Sequence, residues 1–386
     1  MANWKYVKIG DVCTVERGGS PRPIDKFITD DPNGINWIKI GDTDDSMYIT
    51  KTAQKIIPEG MKKSRYVQPG DFLLSNSMSF GRPYILKIDG CIHDGWLVLR
   101  DNDGFFDKRF LYYHLSAPST YQKFKNMAVG GVVNNLNSEM VRGVTVPVPT
   151  MEEQLNIVVT LDKVTKLITL RKEQLAKLDQ LVKSRFIELF GGISDSKRYP
   201  YKAVKELTDV ISGGTPSREV NEYWEGGTIP WVKTTELQNN IITEIDEHIT
   251  KAGLDNSSAK LVPAGTVLIA MYGQGKTRGM TGYLGVEACT NQACACILPS
   301  ESINQKFLWQ FFVLSYDNLR DMAKGGNQPN LNGNIIKNYP VPYPPMELQE
   351  QFAAFVEQTD KSKLAIQQSL DKLELLKKSL MQEYFG

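Results

Sequence analysis

AVGGVVNNLNSEMVRGVTVPVPTMEEQ (residues 128–154) and AKGGNQPNLNGNIIKNYPVPYPPMELQ (residues 323–349) lie in the same chain at an offset of 195 residues. At this offset, 12 of the 27 positions are identical. The same offset aligns GGSP, which begins at Gly18, with GGTP, which begins at Gly213. Because these matches occur in order at a fixed offset, they indicate an internal duplication, and the fold should be one structural unit built twice.

The composition is typical of a globular protein with about two domains of ordinary size. The chain has 386 residues, of which 41% are hydrophobic and 23% charged, and the five cysteines are too unevenly spaced to suggest a disulfide framework. No run of ~18 apolar residues could cross a membrane. The first residues, MANWKYVKIGDV, lack the apolar segment of a signal peptide, so we expect a cytoplasmic protein. The net charge of +1 is low for a protein that binds DNA phosphates unaided.

The first part of each copy alternates short β-rich runs with turns that contain Gly or Pro. Residues 110–124 and 307–322 carry aromatic and Leu side chains at three- and four-residue spacings, which predicts amphipathic helices. Four other runs predict buried strands: 72–75, 92–99, 267–270 and 294–298. The expected fold class is therefore mixed α/β.

A long helix is predicted at the end of each copy. Residues 151–190 and 346–385 follow Pro-rich segments and then run without Pro and almost without Gly. Forty residues in a helix span about 60 Å. Apolar side chains recur at the a and d positions of a heptad: Leu161, Val164, Ile168, Leu175, Leu178, Val182 and Leu189 in the first helix, and Ile366, Leu370, Leu373, Leu380 and Tyr384 in the second.

One such helix cannot bury its apolar stripe alone. We therefore expect the two helices to pair within the chain as an antiparallel coiled coil, with a pseudo-twofold axis between the copies and a globular domain at each end. The alternative is two separate coiled coils formed with other proteins. The predicted boundaries are residues 1–150 and 193–345 for the globular domains, and 151–192 and 346–386 for the helices.

The sequence contains no convincing group of catalytic or metal-binding residues. The three histidines, His93, His114 and His248, lack the spacing of metal ligands, and none recurs in the other copy. Cys294 and Cys296 fall on one face of a predicted strand, as core residues would. We therefore expect no catalytic site, no metal and no other cofactor.

Polar loops occur at equivalent places in the two copies, with similar frames but different side chains. The loop at 75–82 corresponds to the loop at 271–280, and the loop at 130–135 to the loop at 325–330. Two copies of one scaffold that read different DNA sequences would differ in this way, because polar side chains contact base edges and phosphates. The candidate DNA contacts are Asn76, Ser77, Ser79, Arg82, Asn134, Tyr272, Gln274, Lys276, Thr277, Arg278, Lys324, Asn327 and Gln328.

Two lysines recur outside these loops. Lys39 and Lys233 each stand two residues after a Trp and are further candidates for contacts with DNA phosphates. A solvated strand end explains the two lysines equally well, and ordinary polar hairpins remain the alternative for the loops. The shared Asn-Leu-Asn segments at 135–137 and 330–332 are expected to form turns, since Asn bonds its own backbone.

The doubled plan resembles the specificity subunit of type I restriction–modification systems. The resemblance rests on the GGSP and GGTP segments, on VPVPTMEEQ at 146–154 and VPYPPMELQ at 341–349, and on the two long helices, and it covers essentially the whole chain. It implies two target recognition domains, each of which reads one half of a bipartite DNA site. It also implies that the paired helices set the length of the unread gap.

The resemblance implies partners as well. These are double-stranded DNA, two modification subunits that dock mainly on the helices, and restriction subunits that complete an ATP-driven nuclease. S-adenosylmethionine would bind the modification subunits and not this chain. Where the first copy has Glu153, the second has Leu348, so a charged contact need not be shared there. Two other functions stay open, namely a scaffold that binds protein and not DNA, and an unrecognised type of DNA methyltransferase.

Overall fold

The computed structural model describes residues 4–77, 81–128, 135–193, 198–273, 275–322 and 330–386. Contacts divide the chain into unit 1, Met1–Lys172 with Gln368–Gly386, and unit 2, Glu173–Gln367. Each unit therefore contains one globular domain and a piece of both long helices. None of the helices in these ranges is long and apolar enough to cross a lipid bilayer.

Unit 1 holds twelve strands in three sheets among its described residues. The strands are β1 Lys5–Lys8, β2 Thr14–Arg17, β3 Ile28–Thr29, β4 Ile35–Ile38, β5 Tyr48–Ile49, β6 Gln54–Ile56, β7 Arg65–Val67, β8 Phe72–Ser75, β9 Pro83–Leu86, β10 Gly90–Ile92, β11 Trp96–Arg100 and β12 Thr145–Val148. The helices that begin in this part of the chain are α1 Ile9–Val12, α2 Pro58–Met61, α3 Lys108–Ser116, α4 Pro118–Ala128, α5 Ser138–Arg142 and α6 Met151–Phe190.

Unit 2 repeats this order with fewer strands. Its strands are β13 Tyr201–Ala203, β14 Val210–Ser212, β15 Ile229–Val232, β16 Asn240–Ile242, β17 His248–Ile249, β18 Val267–Ala270, β19 Thr281–Leu284, β20 Cys289–Thr290, β21 Cys294–Ile297 and β22 Pro340–Pro342. The helices that follow α6 are α7 Val204–Leu207, α8 Lys251–Asp255, α9 Gln305–Leu314, α10 Tyr316–Met322, α11 Gly333–Lys337 and α12 Met346–Phe385.

The sheets show the duplication directly. The order β2-β11-β8-β9-β5 in unit 1 corresponds strand for strand to β14-β21-β18-β19-β16 in unit 2. In the second sheet, β4 pairs in parallel with β10, and β15 pairs in the same way with β20. The buried strands β8 and β18 match the two strands expected at 72–75 and 267–270. The prediction of a mixed α/β fold built twice is confirmed.

Three predicted elements were wrong in extent. The expected strand at 92–99 is two strands, because the polar turn His93–Gly95 separates β10 from β11. The expected helix at 110–124 breaks before Pro118, which cannot continue it and leaves Ala117 extended. The expected helix at 307–322 breaks at Ser315, where the backbone leaves the helical region.

The long helices occupy the ranges expected from the sequence, Met151–Phe190 and Met346–Phe385. Within unit 1, the start of α6 lies antiparallel to the end of α12. Leu161 shares a hydrophobic core with Met381, and Arg171 Nε donates to Ser369 Oγ at 3.2 Å further along the pair. Arg171, which takes the place of an apolar residue in the heptad pattern between Ile168 and Leu175, therefore faces the paired helix.

Unit 2 repeats the antiparallel arrangement with the other ends of the helices. Phe186 on α6 lies edge-on to Phe352 on α12, with ring centroids 5.5 Å apart. Lys363 Nζ lies 2.6 Å from Asp179 Oδ1, and the Arg185 guanidinium stands over the Phe355 ring. The pairing expected between the two helices is therefore intramolecular in each unit.

A buried glutamine joins α6 to the globular domain of unit 1. Gln154 is 1% exposed. Its Oε1 accepts a hydrogen bond from the backbone N–H of Asp107 at 2.9 Å, and its Nε2 donates to the carbonyl oxygens of Phe105 at 2.8 Å and Pro149 at 3.1 Å. Asp107 in turn caps the N-terminus of α3. One side chain therefore ties the start of α6 to the start of α3.

Gln349 makes the same joint in unit 2. It is also 1% exposed. Its Oε1 accepts from the backbone N–H of Asn304 at 2.9 Å, and its Nε2 donates to the carbonyl of Pro344 at 2.8 Å. Asn304 caps α9, as Asp107 caps α3. This contact accounts for the glutamine of the shared Met-Glu-x-Gln sequence.

The neighbouring position differs between the copies, as expected. Glu153 Oε2 accepts from the backbone N–H of Thr150 at 2.8 Å, and Glu153 Oε1 accepts from Trp4 Nε1 at 3.3 Å. The Thr150 hydroxyl and backbone N–H lower the pKa of Glu153. Leu348 packs against the core of unit 2 instead. The charged contact is therefore confined to the first copy.

Candidate nucleic-acid interface

The turn His93–Gly95 is the centre of the candidate site in unit 1. The backbone N–H groups of Gly18 and Gly19 donate to the carbonyls of Trp96 and Ile92, so the GGSP segment lies directly on this turn. A Cβ atom on Gly18 would stand 2.2 Å from the carbonyl oxygen of His93. Only glycine permits this approach, which explains its presence in the shared segment.

Unit 2 has the same approach at Asn291–Ala293. Gly214 N–H donates to the Thr290 carbonyl at 2.9 Å. A Cβ atom on Gly213 would stand 2.1 Å from Thr290 Oγ1. The two GG segments therefore perform one structural role, which is to bring the following Ser20 or Thr215 against the turn.

Lys39 and Lys233 occupy equivalent places and make equivalent contacts. Lys39 Nζ donates to Gln54 Oε1 at 2.7 Å, and Lys233 Nζ donates to Glu247 Oε1 at 2.8 Å. Glu247 raises the pKa of Lys233 through this hydrogen bond, and Lys233 lowers the pKa of Glu247. Each lysine is therefore held in this structure by a partner of its own domain.

A cleft of about 800 Å³ opens beside the turn of unit 1. Its wall combines one buried aromatic ring, Trp37, with polar side chains that hydrogen-bond in several ways: Ser20, Arg22, Lys39, Gln54, His93 and Asp94. His93 Nδ1 lies 2.6 Å from the Gly95 backbone nitrogen, which fixes the ring. Burial lowers the pKa of His93, so this imidazole is neutral near pH 7.

The corresponding region of unit 2 is organised around Arg218. Its guanidinium lies 3.6 Å from the centroid of the Trp224 ring and 4.9 Å from that of Trp231. Arg218 Nη2 also donates to Glu247 Oε2 at 2.6 Å. The two regions share their backbone arrangement, whereas the side chains that it carries differ.

The loop at 75–82 begins against the same turn of unit 1. Asn76 is 1% exposed, and its Nδ2 donates to the Asp94 carbonyl at 2.9 Å. In this conformation Asn76 holds the loop to the turn and does not face solvent. Ser77 is half-buried, while Arg82 is exposed and lines a pocket of about 460 Å³. Ser79 lies outside the described residues.

The loop at 271–280 is held by the helix α10. Tyr316 donates its hydroxyl to the Lys276 carbonyl at 2.7 Å, and Arg320 Nη1 donates to the Arg278 carbonyl at 3.0 Å. Tyr272 is 40% exposed, Lys276 is exposed, and Thr277 and Arg278 are half-buried. Gln274 lies outside the described residues. The loop thus presents several of the predicted side chains from a braced backbone.

For the second pair of loops, the structure describes little more than the residues that flank them. Asn134, Lys324, Asn327 and Gln328 all lie outside the described residues. The segments that follow these loops are clear, since Asn137 Oδ1 accepts from the Met140 N–H at 2.8 Å and Asn332 Oδ1 from the Ile335 N–H at 2.9 Å. Asn137 and Asn332 therefore bond the local backbone as expected, but they do so as the N-caps of α5 and α11 and not in the expected turns.

The sequence prediction missed the residues that follow the GG segments and the turns beneath them. Ser20 Oγ donates to Asp94 Oδ1 at 2.8 Å, and Thr215 Oγ1 donates to Gln292 Oε1. Ser20 and Thr215 align in sequence at the offset of 195, and that recurrence was the available signal. The offset that aligns Ser20 with Thr215 does not align Asp94 with Gln292, so the equivalence of Asp94 and Gln292 is visible only in the fold.

Comparison with known protein families agrees with this architecture. The family model for the type I restriction modification DNA specificity domain matches residues 1–180 and again residues 197–375. The two matches divide the chain as the internal repeat does, and together they cover most of it.

Curated relatives match part or nearly all of the chain. The specificity subunit of the type I restriction enzyme MjaIX from Methanocaldococcus jannaschii is 29% identical over 172 residues, which make up 42% of this chain and 38% of that protein. A type I restriction enzyme specificity subunit from Escherichia coli is 25% identical over 163 residues, or 40% of its length. These two alignments span less than half of either relative. The MjaVIII specificity subunit of M. jannaschii is 21% identical over 98% of this chain and 91% of its own.

Two solved structures share the fold. One, from work on complex assembly and conformational transition of the type I R-M system, matches with a TM-score of 0.62 and 19% identity, and the match covers 100% of this chain and 98% of the other. The S subunit of a type I restriction-modification system from M. genitalium matches with a TM-score of 0.60 and 15% identity, over 100% of this chain and 96% of its own. At these identities the matches establish the architecture alone.

Proposed function

Because the chain belongs to the family of type I restriction modification DNA specificity domains, we propose that it is the sequence-reading subunit of a type I restriction–modification complex. Each unit reads one half of a bipartite site in double-stranded DNA. The chain itself performs no catalysis and needs no cofactor. Methylation and ATP-dependent cleavage belong to the subunits that assemble with it.

One observation carries this proposal. The two units share the strand order of one five-stranded sheet, the same glycine approach to a turn and a lysine that bonds within its own domain, while the side chains around these features differ. A shared backbone arrangement that carries different polar side chains suits the reading of two different DNA sequences.

We also assign partners to the helices. Several large apolar side chains of α6 and α12 are exposed although the two helices pair: Leu155, Val159, Leu167, Leu170, Leu181, Leu364, Leu375 and Leu376. Such stripes suit a protein partner. Two modification subunits that dock there, together with restriction subunits, would also supply positive charge that this chain lacks. The contacts to DNA phosphates would then be shared among the subunits.

Selection from random DNA tests this function. The chain in complex with its modification subunit should enrich sequences with two fixed half-sites and an unread gap of constant length. Absence of any enriched motif would favour the scaffold that binds protein and not DNA. Tight binding of S-adenosylmethionine by the purified chain alone would favour a methyltransferase, and we expect no such binding.

Arg278 offers a test at the level of one residue. Arg278→Ala should relax recognition at one base of the half-site read by unit 2, with a loss of about 1–3 kcal/mol of discrimination, because arginine pairs with base edges in the major groove. Competition binding with single-base variants of the site measures this loss. Lys205→Ala is the matched control, since Lys205 is an exposed lysine of unit 2 bonded to Asn338, which follows α11. An equal loss of affinity for every DNA sequence would show that Arg278 contacts phosphates and does not read a base.

A further inference from the structure

The turn beneath each GG segment presents a polar side chain whose equivalence follows from strand register. Cys91 and Ile92 of β10 pair with β4 at Trp37 and Ile38. In unit 2, Cys289 and Thr290 of β20 pair with β15 at the corresponding Trp and Val. Asp94 and Gln292 each stand two residues beyond these strands. The two side chains therefore occupy the same place in the two copies.

A hydroxyl group orients Asp94. Ser20 Oγ donates to Asp94 Oδ1 at 2.8 Å, and the Asp94 backbone N–H lies 3.3 Å from the same Oγ. The Ser20 hydroxyl lowers the pKa of Asp94. The side chain is 43% exposed, and Oδ2 lies 3.4 Å from Nη2 of Arg22, whose side chain is 82% exposed. Asp94 thus offers solvent a fixed hydrogen-bond acceptor.

A hydroxyl group orients Gln292 in the same way but with a different result. Thr215 Oγ1 donates to Gln292 Oε1, and the side chain of Gln292 is exposed. Because the amide oxygen accepts from the threonine, the Nε2 group with its two hydrogens is directed away from the hydroxyl. Gln292 therefore offers hydrogen-bond donors where Asp94 offers an acceptor.

We propose that Asp94 and Gln292 are specificity-determining residues, one for each half-site, and that Ser20 and Thr215 are the positioning residues that aim them. This inference rests on the proposed DNA-reading function. An acceptor at Asp94 suits the exocyclic amino group of cytosine or adenine in the major groove, and it disfavours guanine O6 and thymine O4, which are acceptors themselves. A donor at Gln292 suits those acceptor edges and the N7 atoms of purines.

The cations around Asp94 explain how a carboxylate can lie against DNA. Arg22 and Lys39 line the same cleft as Asp94, and Arg17 Nε donates to the Asp94 carbonyl at 3.0 Å. Contacts from such cations to phosphates position a domain without reading its bases. The carboxylate then contributes selectivity, because it can accept hydrogen bonds from the amino groups of bases and repels their acceptor oxygens.

Paired substitutions in the complete complex test the assignment, with methylated sites mapped by single-molecule sequencing. Asp94→Asn should change the preference at one base of one half-site by about tenfold, and Gln292→Glu should do so in the other half-site alone. Ser20→Ala should weaken the base preference at the position that Asp94 reads. Ser20→Thr should retain that preference, since the second copy uses threonine there. Asp89→Asn is the control, as Asp89 is an exposed carboxylate of unit 1 bonded to Tyr66.

The outcomes separate this inference from the function on which it rests. Unchanged methylation motifs in Asp94→Asn and Gln292→Glu would overturn the assignment, and so would an equal loss of methylation at all sequences. The proposed function would still stand in either case if the wild-type motif is bipartite. A wild-type complex without a bipartite motif would overturn both. Should one variant fold poorly in a thermal melt, the Ser20→Ala and Ser20→Thr pair tests the same position with Asp94 intact.

Discussion

Gln154→Leu is expected to lower the free energy of unfolding by about 3 kcal/mol. Leucine fills a similar volume but leaves the N–H of Asp107 and the carbonyls of Phe105 and Pro149 without their side-chain partner. Each buried backbone group that loses its hydrogen bond costs about 1–3 kcal/mol. Urea titration of the purified chain, followed by far-ultraviolet circular dichroism, measures the change.

The neighbouring Glu152 provides the matched control. It stands two residues before Gln154 on the exposed side of α6, so Glu152→Leu should change the free energy of unfolding by less than about 0.5 kcal/mol. Gln349→Leu should destabilise unit 2 less than Gln154→Leu destabilises unit 1, because among the described residues two such bonds are found for Gln349 and three for Gln154. A Gln154→Leu protein as stable as the wild type would show that this residue does not join α6 to α3.

Insertion of one helical turn into both long helices is expected to lengthen the unread gap and leave both half-sites unchanged. The turn is placed after Lys172 in α6 and after Gln367 in α12, where the chain divides between its units. Four residues add about 6 Å to a helix, which corresponds to about one or two base pairs at 3.4 Å each. Mapping of methylated sites reads the gap directly.

Insertion into α6 alone is the control for this experiment. It shifts the apolar stripe of one helix against the other, so that contacts such as Phe186 with Phe352 and Asp179 with Lys363 can no longer form together with those near Met381. DNA binding should then be lost. An unchanged gap after the double insertion would mean that the helices do not set the spacing.

The sequence was sufficient where the determinants of structure are local. Pro-rich entries and heptads located α6 and α12 to the residue, and the duplicated segments predicted a doubled α/β fold. The strand expected at 92–99 was wrong because β-forming residues flank His93–Gly95 on both sides and conceal the turn. Pro118 was a visible stop inside the helix expected at 110–124, and the helical spacing of the aromatic residues outweighed it.

The candidate site was only partly predictable for a physical reason. Lys39 and Lys233 could be paired from the sequence because each stands two residues after a Trp, although their partners, Gln54 and Glu247, differ. Asp94 and Gln292 are chemically different and are displaced by insertions, and only the strand register brings them to the same place. Asn76 looked like a surface residue because its loop is polar, yet its amide is used within the fold.

The most direct test is a map of methylated bases in cells that carry the complete complex, recorded for the wild type and for Arg278→Ala and Asp94→Asn. The wild type should modify a bipartite motif with a gap of fixed length. Arg278→Ala should alter only the half-site read by unit 2, and Asp94→Asn only the other. A single continuous motif, or a substitution that alters both halves together, would contradict the division of DNA reading between the two units.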